Sequence, residues 1–207
     1  MDGFMRKEFV VDEPDLKTVY KIGGAKRGWK FDPMSHNIFF IGPRGSGKTT
    51  LGRVVAKELN MNFVDTDEEI VNDIGMDIES FVRSYGWEKF RDIESKVLKR
   101  VCNRKSCVCA TGGGIVLREE NRNLIRENGF VFYLMGDVLT FEKRILSDEK
   151  NKNRPPLTDL SLRDELVVTL REREPLYLSI AQFILRADKD IDELKEDVFR
   201  FLGSEAR

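Results

Sequence analysis

Gly42-Pro43-Arg44-Gly45-Ser46-Gly47-Lys48-Thr49 decides how the rest of the chain is read. Before it stands Asn37-Ile38-Phe39-Phe40-Ile41, a short apolar run with the composition of a fully buried strand. After it, Thr50 to Leu59 places Leu51, Val54, Val55 and Leu59 on one helical face. A strand, a turn of the form G-x-x-x-x-G-K-[ST] and a helix together make a phosphate-binding P-loop. Gly45, Ser46, Gly47, Lys48, Thr49 and Thr50 are therefore the candidate nucleotide contacts. Glycines let successive N–H groups turn toward a phosphate, and the helix N-terminus adds partial positive charge. Lys48 brings a full charge to the β- and γ-phosphates, and the Thr49 hydroxyl suits Mg²⁺.

The bulk of the chain sets limits on its partners. It has 207 residues, enough for one good core with an extension. Lys and Arg number 35 against 36 Asp and Glu, for a net charge of −1. That balance gives no support for nucleic acid or an anionic membrane as partner. No apolar run approaches the roughly 18 residues of a membrane span, and the N-terminus lacks the apolar core of a signal peptide. A cytoplasmic location is expected, with the chain acting as a monomer. Cys102, Cys107 and Cys109 are an odd set, and with His36 as the single histidine they are too few for a standard zinc site. They read as reduced structural thiols, and His36 as a surface residue.

Residues 1–36 precede the nucleotide fold. Val19 to Ile22 and Trp29 to Phe31 suggest a hairpin around a glycine-rich turn, to which no function is assigned. After the P-loop helix, Asn62 to Asp67 is a short strand ending in Asp65 and Asp67, at the edge of the sheet where ligands bind. A short helical piece around Ile78, Phe81 and Val82 precedes a helix from Trp87 to Val101. Arg91 lies early in that helix, with Glu94 one turn on to brace it. Cys107 to Thr111 is a strand running into Gly112-Gly113-Gly114, glycines that are costly in entropy unless the backbone must approach something closely. Further on come a helix over 118–126, a strand over 130–134, and a helix over 141–146 carrying Arg144. Asp148 to Leu157 is charged and proline-broken, the composition of a mobile lid. A long helix then ends near 171–177, followed by a strand over 181–185 and a closing helix over 192–202. Alternating strands and helices predict an α/β fold: a three-layer α/β/α sandwich on a five-stranded parallel sheet.

With these pieces placed, residues 37–203 resemble the shikimate kinases, small-molecule kinases of the P-loop class. The resemblance rests on Asp65-Thr66-Asp67, Phe90-Arg91-x-x-Glu94, Gly112-Gly113-Gly114, Arg154-Pro155 and Arg173-Glu174-Pro175-Leu176-Tyr177, in that order. It implies strand order 2-3-1-4-5, Mg²⁺ held by Thr49 and Asp65, and ATP as phosphoryl donor. It implies that Asp67 accepts a hydrogen bond from the 3-hydroxyl of shikimate, that Arg91 and Arg173 grip the acid's carboxylate, and that Gly113 lies against the ring. Lys48, Asp67 and Arg154 become the catalytic set, with Arg154 on a lid over 148–157 and Arg144 beside the adenine. A bidentate guanidinium clamp is what a small polyhydroxy acid requires. Phosphoryl transfer asks mainly for positioning and charge neutralisation.

The chain departs from the family pattern in its first 36 residues, in a lid a few residues long, and in Ala187-Asp188-Lys189-Asp190-Ile191. That last stretch replaces the adenine-edge loop without the usual proline or arginine. Two rival readings stand beside this one. One is a P-loop kinase of another hydroxy acid such as gluconate; the other is a nucleotide-binding regulator without turnover.

Overall fold

In the computed structural model of the protein, the described residues are 20–21, 31–147 and 160–203. The proposed lid over 148–157, Arg154 included, lies outside them, as do most of residues 1–30, with Trp29 and Lys30 of the expected hairpin among them.

The sheet is built around β2 (Asn37–Ile41), buried at every position. A central parallel strand is covered on both faces, which is why it reads as an unbroken apolar run. Phe39 and Ile41 enter one core layer and Ile38 and Phe40 the other. Parallel neighbours flank it: β4 (Cys107–Ala110) on one side and β5 (Gly129–Met135) on the other. Outside these lie β3 (Asn62–Asp65) and β6 (Phe183–Arg186). Counting parallel strands alone, the order is 2-3-1-4-5, as the resemblance implied. A sixth strand, β1 (Tyr20–Lys21), pairs antiparallel with β6 at the sheet edge. The extension thus spends Tyr20 and Lys21 on the sheet.

Helices cover the two faces. On one lie α2 (Thr66–Ile74), α3 (Ile78–Asn103) and α4 (Glu119–Asn128), with the end of α6 (Leu162–Ile180). On the other lie α1 (Lys48–Glu58), α5 (Val138–Ser147) and α7 (Ile191–Leu202). Inside α3, Gly86 has φ 83° and ψ 163°, so the helix is broken there. The two helical pieces expected around Val82 and from Trp87 are this broken helix.

The end of α6 differs from expectation. The helix was expected to end near 171–177, yet it runs through Pro175 to Ile180. A proline inside a helix costs about 3 kcal/mol. Two buried anchors beyond it, Tyr177 and Ile180, offset that cost. Tyr177 stacks on Tyr133 of β5 with ring centroids 5.0 Å apart. Cys102, Cys107 and Cys109 are all buried and unbridged, as read.

Candidate active site

The site forms where the chain leaves the carboxyl ends of the parallel strands. Strand β2 lies between β4 and β5, the kind of position where ligands bind in open α/β sheets. After β2, Gly45 and Gly47 have φ of 78° and 97°, which only glycine adopts readily. These conformations let the loop curl and start α1 at Lys48. Lys48 is nearly buried, and its Nζ donates to the carbonyls of Gly42 (2.9 Å) and Pro43 (2.7 Å) and to Ser46 Oγ (3.2 Å). The ammonium therefore sits inside the turn that its glycines create.

After β3, Asp65 does two jobs. Its Oδ2 accepts a hydrogen bond from Thr49 Oγ1 at 2.8 Å, and its Oδ1 accepts one from the Asp67 backbone N–H at 2.9 Å. The second contact caps α2 and turns Asp67 toward the site. After β4, the Gly112 N–H donates to Thr66 Oγ1 at 2.8 Å, tying the glycine triplet to the same helix start.

Gly112 and Gly114 are glycine because charged side chains fill the space around them. A Cβ on Gly112 would come within 2.6 Å of Asp67 Oδ1 and 3.2 Å of Glu94 Oε1, and one on Gly114 would run into the Arg91 guanidinium. Arg91 and Glu94 form a buried pair. Arg91 Nη1 donates to both oxygens of Glu94, at 2.8 and 2.7 Å. Trp87 and Phe90 lie beside that guanidinium, 5.3 and 5.2 Å from it. Burial, outweighing the pull of Arg91, pushes the Glu94 carboxyl up to about 7. From α6, Tyr177 donates its hydroxyl to the Gly113 carbonyl at 2.5 Å, and burial raises its phenol above the usual range.

Two cavities result. One is walled by Arg91, Glu94, Arg173, Tyr177, the glycine triplet and Trp87. The other is walled by Gly45, Gly47, Lys48, Thr49, Thr50, Asp65 and Arg144. Arg44, Asp67 and Gly113 line both. One side thus offers a phosphate cradle and the other a pair of guanidiniums, with a carboxylate at the junction.

Every expected site residue within the described part falls on one of these walls except Ser46, which is buried beneath Lys48. Arg144 bridges the P-loop and the loop after β6: Nη1 donates to the Ser46 carbonyl at 3.2 Å and Nη2 to the Ala187 carbonyl at 2.5 Å. Lys189 and Ile191, from the divergent stretch, line the nucleotide side. Lys189 is held there by Asp197 at 2.6 Å. Sequence reasoning gave no role to Arg44, Trp87, Glu165 or Tyr177. Tyr177 stood in a quoted motif and Arg44 in the P-loop, so position carried a signal there. Glu165 lies among the charges of a helix start and carried none.

Comparison with known proteins agrees with this geometry. A family model described as shikimate kinase matches residues 44–203. A shikimate kinase of Nitratidesulfovibrio vulgaris is 40% identical over 166 residues, covering 80% of this chain and 95% of that one. Shikimate kinase 2 of Photorhabdus laumondii is 39% identical, covering 74% and 88%. Among solved structures, the shikimate kinase of Acinetobacter baumannii in complex with shikimate superposes with a TM-score of 0.77 at 32% identity, covering 84% of this chain and 97% of that one. That of Bacteroides thetaiotaomicron gives 0.75 at 28% identity, covering 81% and 98%. Family model, relatives and architecture agree, and the chain belongs to the shikimate kinase family.

Proposed function

We propose that the protein transfers the γ-phosphoryl group of ATP to the 3-hydroxyl of shikimate, giving shikimate 3-phosphate for chorismate and aromatic amino-acid synthesis. One observation carries the reading: the phosphate cradle and the cavity that holds Arg91 and Arg173 meet at Asp67. In that arrangement Arg91 and Arg173 hold the acid's carboxylate and Gly113 lies against its ring. Asp67 accepts a hydrogen bond from the hydroxyl. The hydroxyl oxygen forms the new P–O bond as the bond to the ADP oxygen breaks, and the proton passes to Asp67 late in the transfer. Lys48 neutralises the charge on the transferring phosphates, and Arg154 is assigned the same task from the lid. Arg144 and Ile191 flank the base.

Mg²⁺ fits the residues present. Thr49 Oγ1 and Asp65 Oδ2, 2.8 Å apart on the nucleotide wall, are both hard oxygen donors. Among the described residues no group of three or more His, Cys, Asp or Glu forms a metal cage. This suits an ion that takes its other ligands from phosphates and water. When bound, it supplies charge neutralisation at the β- and γ-phosphates.

The test is ADP release measured with a panel of cyclic and open-chain hydroxy acids. ADP release that depends on shikimate and is absent with gluconate is the expected result. Release with gluconate alone would overturn the assignment, and release with neither acid would favour the regulator reading.

A further inference from the structure

The acid cavity is nearly balanced in charge before any acid enters. Three arginines face it: Arg44 from the P-loop, Arg91 from α3 and Arg173 from α6. Three carboxyl groups face it as well: Asp67 from α2, Glu94 from α3 and Glu165 from α6. Tyr177 adds only a phenol that burial holds neutral. One of these guanidiniums is already engaged, because Arg91 Nη1 donates to both oxygens of Glu94. An arriving acid therefore adds a fourth carboxyl group and must share Arg91 with Glu94.

We infer that shikimate binds together with a proton, and that the proton is taken up at Glu94. This rests on the reading of the cavity as the shikimate site. Geometry points to Glu94. It is clamped on Arg91, it is 1% exposed, and its Oε1 approaches the same point at Gly112 as Asp67 Oδ1. Asp67 is only partly buried, so water helps to solvate its charge. Once protonated, Glu94 frees the guanidinium for the incoming carboxylate and gains an O–H that donates to it.

The sign follows from linkage. Burial already holds the Glu94 carboxyl up at about 7. The bound anion raises it further, through like charge and loss of part of Arg91. The protonated form thus favours acid binding. Affinity is flat below pH about 7 and weakens above it, at most tenfold per pH unit, until the raised value of the complex is passed.

Isothermal titration of shikimate into the full chain at pH about 7.5 tests this, in buffers that differ in ionisation enthalpy. The expected result is uptake of more than about half a proton per acid bound. In Glu94→Gln the uptake should vanish, and affinity should stay level as pH rises. A binding enthalpy independent of buffer in the wild-type chain would overturn the inference, whether or not the variant folds. So would uptake that survives in Glu94→Gln. Absence of any shikimate binding would overturn the reading of the cavity, and this inference with it.

Discussion

Tyr177 and Gly113 stand 64 residues apart in sequence and are joined by a 2.5 Å hydrogen bond from phenol to carbonyl. The glycine proposed to face the substrate ring is thus positioned by the far end of α6, not by its own loop. Tyr177→Phe keeps the stacking on Tyr133 and removes this bond together with the phenol's hydrogen bond to Arg173. Loss of a buried acceptor's partner should lower unfolding free energy by about 1–3 kcal/mol. The KM for shikimate should rise several-fold with little change for ATP. Urea unfolding and initial-rate kinetics measure both, and unchanged values would leave the bond without a role.

Arg91→Lys and Arg173→Lys keep the charge and lose the planar fork. A hydrogen bond to a charged group contributes about 1.5–3 kcal/mol, so the KM for shikimate should rise roughly ten- to a hundred-fold while that for ATP holds. Equal rises in both constants would place the clamp elsewhere.

Asp67→Asn should cut kcat by roughly 10²–10⁴-fold, the usual range for general-base assistance. Nucleotide affinity, measured by fluorescence titration with ADP, should stay near wild type. A variant that binds ADP poorly yet turns over normally would move Asp67 into the metal site.

Lys48→Ala should abolish turnover and also cost stability. The side chain is nearly buried and ties Gly42, Pro43 and Ser46 together, so calorimetry should show a melting temperature several degrees lower. Normal activity in the folded variant would remove the phosphate-cradle assignment.

The three cysteines should not react with a thiol reagent in the native state. Burial pushes Cys102 up to about 12 and Cys107 up to about 11, and raises Cys109 as well. Thiolate is the reactive form. Ellman's reagent at pH about 8 should therefore titrate them only after unfolding in guanidinium. Rapid labelling of the native chain would show that one of them is accessible.

Much of the architecture was legible because parallel strands carry unbroken apolar runs such as Asn37–Ile41, and because glycines mark turns that nothing else can make. Thr49, Asp65, Asp67 and Arg91 were legible for a related reason: each follows a strand or starts a helix at a fixed offset. Glu165 was not, since its burial depends on how α6 crosses the sheet, which no local pattern records. The continuation of α6 past Pro175 was missed on similar grounds. A proline reports a local cost, whereas the burial of Tyr177 and Ile180 that outweighs it comes from β5 and β6. The double occupation of Glu94, as brace and as cavity wall, likewise appears only when α3 meets the glycine triplet.

The tie between Arg144 and the Ala187 carbonyl has a bearing on the order in which a newly made chain becomes competent. The P-loop leaves the ribosome early, yet its nucleotide wall is finished by Lys189, Ile191 and Leu194, and the acid wall by Arg173 and Tyr177. A nascent chain released before Lys189 therefore carries every glycine of the phosphate cradle and the acid wall, and still lacks the far wall of the nucleotide side. Termination before Lys189 should yield a polypeptide that is inert rather than one that hydrolyses ATP without purpose.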